Sequence, residues 1–120
     1  MKKPLKIVLT VLWFLFMTYL FLLPKQAFPS KNWLYELGFD KWVHIGLFFT
    51  LLLLCSWTLS LTQKNGYWLL FGSSVLYGFL IEVCQDRLVQ NRTFAWDDLL
   101  ADSVGALAGL WVWYKKNKPL

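Results

Sequence analysis

Four stretches of this chain are apolar and nearly free of charge, and short polar segments separate them. They run from Ile7 to Leu23, Trp42 to Leu61, Tyr67 to Val83 and Asp97 to Tyr114, each close to the length needed to cross a bilayer as a helix. The pattern predicts an all-α protein, an integral membrane bundle of four transmembrane helices, in a single domain over 1–120 with spans at about 7–23, 42–61, 67–83 and 97–114. Pro24 stops the first span, since it lacks the N–H and its ring clashes with the preceding turn. Asp40 is placed to cap the second, and Thr62-Gln63-Lys64-Asn65-Gly66 reads as the turn into the third.

Residues 24–40 mix prolines, charges and the aromatics Trp33, Tyr35 and Phe39, the composition of a segment at the headgroup level. Ser30 and Gly38 would start and end a short helix there, which serves either as an interfacial anchor or as a lid. Met1-Lys2-Lys3-Pro4-Leu5-Lys6 is a basic leader. The following run is long for a signal peptide, and Gln26-Ala27-Phe28 is a poor cleavage site, so a retained anchor is expected.

Composition supports the pattern. The chain has 120 residues, 58% hydrophobic, 19% aromatic and only 16% charged, with eight Trp, which excludes an ordinary soluble domain. Trp42, Trp96, Trp111, Trp113 and Tyr114 fall near span ends, as interfacial belts do, and need no cofactor to explain them. No haem or nucleotide motif is present, and no cofactor is expected. Cys55 and Cys84 lie at different depths in different spans and read as reduced packing residues rather than a disulfide.

The net charge of +5 does not form a patch for nucleic acid, and no nucleic-acid module is present. Four spans put both termini on one side. Lys2, Lys3, Lys6, Lys64, Lys115, Lys116 and Lys118 then share that side, whereas all seven acids, Glu36, Asp40, Glu82, Asp86, Asp97, Asp98 and Asp102, fall at the other. The positive-inside rule makes the lysine side cytoplasmic and the acidic end extracytoplasmic. Asn91-Arg92-Thr93 matches a glycosylation sequon, a weak signal at three residues.

The acidic end is where chemistry is expected. Asp40, Lys41 and His44 stand at the start of the second span, Glu82 and Gln85 at the end of the third, and Asp98 and Asp102 at the start of the fourth. Arg92 lies in the loop between the last two. Ionisable groups in or near lipid cost several kcal/mol unless partnered, so they are candidates for function by default. Asp98, Asp102, Gly105 and Gly109 share a helix face, setting acids above a glycine seam that serves either packing within the chain or a homodimer.

Together these residues resemble the VanZ-like membrane proteins, a family named after a teicoplanin-resistance protein. The resemblance covers most of the chain and rests on Asp40-Lys41-x-x-His44 with Phe48, Glu82-x-x-Gln85, Arg92, and Asp98-x-x-x-Asp102-x-x-Gly105. The family usually has Asn where this chain has Asp102. The resemblance implies a small multi-span helical protein, linked in one branch to glycopeptide antibiotic resistance, and supplies no reaction mechanism. It is expected in the cell membrane, in a bacterium the inner one.

Three readings of the cluster stand side by side. In the first, Lys41, His44 and Arg92 pair with Glu82, Asp98 and Asp102 simply to fasten helix ends. In the second, Asp40, Lys41, His44, Glu82, Gln85, Arg92, Asp98 and Asp102 form a pocket for a lipid headgroup, cell-wall precursor, glycopeptide or peptide, with Arg92 recognising phosphate or carboxylate. In the third, a hydrolase or transferase acts on a lipid-linked or wall substrate, with His44 or Glu82 as general base, Asp98 as its partner or a metal ligand, and Arg92 stabilising developing charge. No nucleophile motif and no linear metal motif accompanies them, so no metal is assigned. Transport has little support, because no span carries an ionisable residue in its middle.

Overall fold

The computed structural model describes residues 2–23, 39–89 and 94–117, with residues 39 and 40 described by backbone alone. Residues 24–38 of the interfacial segment, the sequon Asn91-Arg92-Thr93 with Arg92, and Lys118 lie outside them. The described residues form four α-helices and no strand: α1 (Lys3–Phe21), α2 (Phe39–Leu59), α3 (Lys64–Leu88) and α4 (Trp96–Asn117).

Each helix is set by local chemistry. In α1, Pro4 stands in the first turn, where a missing N–H costs nothing, and the helix begins at Lys3, four residues ahead of the apolar run from Ile7. It unwinds over Leu22 and Leu23 ahead of Pro24, as expected. Asp40 is not the cap of α2, since that helix already includes Phe39. α2 ends at Ser60 in a left-handed conformation (φ 51°), with Leu61 N–H bonded back to Ser56 O at 3.0 Å and Ser60 N–H to Trp57 O at 3.3 Å. That is the Schellman pattern, made without the usual glycine. Lys64, Asn65 and Gly66, expected in the turn, instead open α3, because a helix start in the headgroup region tolerates polar side chains. α4 carries Asp97 and Asp98 in its first turn and Lys115 and Lys116 in its last, each matched to the helix dipole.

Three helices are long and apolar enough to cross a membrane, Lys3–Phe21, Lys41–Leu59 and Lys64–Leu88; α4 is less clearly apolar because of the charges at both its ends. Only 11% of the α1 span is buried inside the protein, and Leu5, Val8, Val11, Leu12, Leu15, Phe16 and Tyr19 point outward. Such a surface calls for lipid, and this is a membrane protein.

In lipid the hydrophobic effect does not pull helices together, so close packing and interhelical hydrogen bonds must. The central pair is α2 and α4. A Cβ on Gly105 would stand 2.9 Å from Ile45 Cα and run into its carbonyl oxygen; one on Gly109 would stand 2.6 Å from Phe49 O and 3.1 Å from Leu52 Cβ. The glycine seam is therefore taken up by α2 within the chain. Gly78 does the same for α3 and α4, since a Cβ there would lie 2.9 Å from Asp102 Oδ2 and 3.3 Å from Leu99 Cδ1.

Met17 and Phe21 of α1, Phe48, Leu51 and Leu52 of α2, Ile81 of α3, and Ala106 and Leu110 of α4 fill the interior. Polar clasps supplement them: Thr10 and Thr58 hydroxyls at 2.7 Å, Thr18 and Tyr77 hydroxyls at 2.6 Å, Trp13 Nε1–H donating to Leu47 O at 3.2 Å, and Trp113 Nε1–H donating to Leu61 O at 2.8 Å. Such interhelical bonds average about 0.6 kcal/mol in lipid, so no single one holds the bundle.

Candidate functional site at the acidic end

Antiparallel threading brings the end of α1, the start of α2, the end of α3 and the start of α4 to one end of the bundle. Lys41, His44, Glu82, Gln85, Asp98 and Asp102 meet there, and the α2 backbone carries Asp40 to the same end. His44, Glu82, Gln85, Asp98 and Asp102 are buried, and Glu82 and Asp102 are completely so.

The α2 and α4 members interlock. His44 Nδ1 is 2.6 Å from Asp102 Oδ1, and His44 Nε2 is 3.8 Å from Asp98 Oδ2. Lys41 Nζ pairs with Asp98 Oδ1 and lies 3.3 Å from Asp97 Oδ2. The spacing explains this: Lys41 and His44 are one turn apart, as are Asp98 and Asp102, so facing helices present a cation and an imidazole to two acids. With 35% of its side chain exposed, Lys41 marks the outer edge of the cluster; His44 and Asp102 form its floor.

Glu82 approaches from α3. Its Oε2 accepts the Ala95 N–H at 3.2 Å, which ties α3 to the start of α4, while Oε1 is buried and has no hydrogen-bond partner among the described residues. One turn on, Asp86 Oδ1 accepts the Phe94 N–H at 3.3 Å. Ligand atoms of His44, Glu82 and Asp98 lie within 4.8 Å of one another, one from each of three helices. A set spread across 55 residues, from His44 to Asp98, has no signature in linear spacing.

Gln85 takes a different part. Its Nε2 donates to Phe21 O at 2.6 Å, a carbonyl in the last turn of α1, where helical partners run out. The Phe21 ring lies over the His44 imidazole with centroids 4.8 Å apart and walls the cluster on the α1 side. Phe21, Asp97 and the Ala95 N–H are the members that sequence reasoning missed. Phe21 gave only a weak hint, as the last aromatic before the Pro24 stop.

The arrangement offers a buried polar cluster with a carboxylate oxygen available as an acceptor, an imidazole beside a carboxylate, and an ion-paired outer edge. A family model described as VanZ/LLP1 matches residues 5–117, nearly the whole chain. Neither the curated proteins nor the solved structures contain a match.

Proposed function

This chain belongs to the VanZ/LLP1 family, and from that premise we propose that its acidic-end cluster binds a polar ligand of the cell envelope, a lipid headgroup or a lipid-linked wall precursor, on the extracytoplasmic side of a bacterial inner membrane. The carrying observation is Glu82. Helix fastening accounts for Lys41, His44, Asp98 and Asp102, which interlock α2 with α4. It does not account for a fully buried carboxylate with one oxygen unbonded among the described residues, because an unsatisfied buried polar group costs about 1–3 kcal/mol, and more when charged. A ligand hydroxyl, amine or metal would satisfy it. Lys41 at the rim, and Arg92 in the loop, would meet phosphate or carboxylate on the same ligand. The family's link to glycopeptide resistance makes a wall precursor the leading class.

The His44–Asp102 pair favours a second reading, a membrane-embedded hydrolase or transferase. A carboxylate at Nδ1 orients an imidazole and stabilises its protonated form, as a general base requires. The ligand-binding reading needs fewer parts.

Cells expressing the protein and challenged with a glycopeptide test it. Glu82→Gln should abolish protection at unchanged membrane abundance. Full protection by the variant, or a matching loss of folded protein, rejects the proposal.

A further inference from the structure

We propose that His44, Glu82 and Asp98 together hold a divalent metal cation of the zinc or manganese kind, with Asp102 as the residue that positions His44 for it. Three features converge. The first is the donor set, one imidazole and two carboxylates, with ligand atoms mutually within 4.8 Å and all three residues buried. Metal–ligand distances of about 2.0–2.2 Å put tetrahedral donors about 3.3–3.6 Å apart around one ion, so each group closes onto a cation by a shift of under about 1 Å. The second is Glu82, a member of this group whose buried Oε1 has no hydrogen-bond partner among the described residues. Glu82 Oε2 is meanwhile held by the Ala95 N–H, which fixes the carboxylate with its other oxygen free to ligate.

The third is the imidazole. An ionised Asp102 at 2.6 Å accepts a hydrogen bond from Nδ1, so the ring proton belongs there and the lone pair to Nε2, the nitrogen that faces Asp98. A carboxylate behind a histidine in this way orients the ring and raises its basicity toward a metal. Asp98 is divided likewise: Oδ1 pairs with Lys41, and Oδ2 turns toward His44. Lys41 also reaches Asp97, so it has a second anchor away from the ion once a cation takes Asp98. Imidazole with carboxylates suits zinc or manganese; calcium wants six to eight oxygens, which this cluster does not supply.

Three protein donors leave coordination positions open. An oxygen of an envelope phosphate would fill one, and this use of the ion, though not its binding, rests on the ligand reading above.

The test uses the full chain, purified in detergent without a polyhistidine tag, and measures bound metal and thermal unfolding with added zinc, manganese or calcium. Wild type should bind about one zinc or manganese ion per chain and melt higher with it, while calcium does nothing. Glu82→Gln and His44→Gln should lose the metal. Asp102→Asn should keep the metal-free melting temperature and bind zinc about 10- to 100-fold more weakly; a purely structural Asp102 would not separate the two readouts. Binding by wild type no tighter than by the Glu82→Gln, His44→Gln double variant overturns the site. If no metal binds and Glu82→Gln still abolishes protection in cells, the metal site is rejected and the ligand reading survives. If metal binds and is lost in the variants while protection is unaffected, the metal site stands and the ligand reading falls.

Discussion

Asp102 on α4 and His44 on α2 meet at 2.6 Å, both almost wholly out of solvent. Because each stands directly above the Gly105–Ile45 contact, the pair fixes the rotation of the two helices at the level where their backbones come closest. Removing one partner of a buried pair commonly costs about 3–5 kcal/mol, since the other is stranded. Asp102→Leu should therefore lower the melting temperature sharply. Asp102→Asn keeps a carbonyl oxygen for the Nδ1 proton and should stay close to wild type. Equal stability of the two variants would show that the pair does not hold the helices.

Gly105→Ala should be the most damaging methyl addition in the bundle. The new Cβ meets the Ile45 backbone, which cannot swing aside, and overpacking of this kind costs about 1–3 kcal/mol. Gly46→Ala and Gly72→Ala are the controls, for nothing lies within 4 Å of a Cβ at either position. In those two, the better helix propensity of Ala should leave stability unchanged or raise it by up to about 1 kcal/mol. Thermal melts of the three proteins in one detergent decide the point.

Ser60→Gly should stabilise the protein. Ser60 ends α2 at φ 51°, a conformation that costs an L-residue about 1–2 kcal/mol relative to glycine. A melting temperature at or below that of wild type would mean that the Ser side chain compensates for the strain.

Gln85→Leu probes the junction between α1 and α3. It removes the hydrogen bond to Phe21 O, with an expected cost of about 0.5–1.5 kcal/mol, and should expose the end of α1 to faster hydrogen exchange while leaving α2 and α4 protected. Uniform exchange across the four helices would contradict a local role.

Orientation is accessible to cysteine labelling in intact cells, on a background lacking Cys55 and Cys84. With both termini cytoplasmic, Gln90→Cys should react with a membrane-impermeant reagent and Asn117→Cys should not. The opposite result would move the acidic end to the cytoplasm and with it the proposed envelope ligand.

The helices and the gathering of acids at one end were legible in the sequence because hydrophobicity, charge and span parity are one-dimensional quantities. The seam at Gly105 and Gly109 was legible as a place of close approach, but its partner was not: only three-dimensional packing selects α2. The same limit explains the cluster. His44, Glu82 and Asp98 were each visible as candidates, yet their convergence depends on the relative rotation of three helices, which no local spacing encodes. Gln85 looked like a pocket residue, one turn beyond Glu82, and instead meets an α1 carbonyl at a sequence separation of 64. Helix ends were the least legible, since α3 extends past its apolar stretch at both ends.

The glycine seam has a consequence for traffic. Directly beneath Asp102 the α2 and α4 backbones nearly touch, and Phe48, Leu52, Ala106 and Leu110 fill the space below. That contact sets the polar cluster of the acidic end on an apolar floor, so a molecule reaching His44 or Asp98 would have to come from the end of the bundle and not from between α2 and α4.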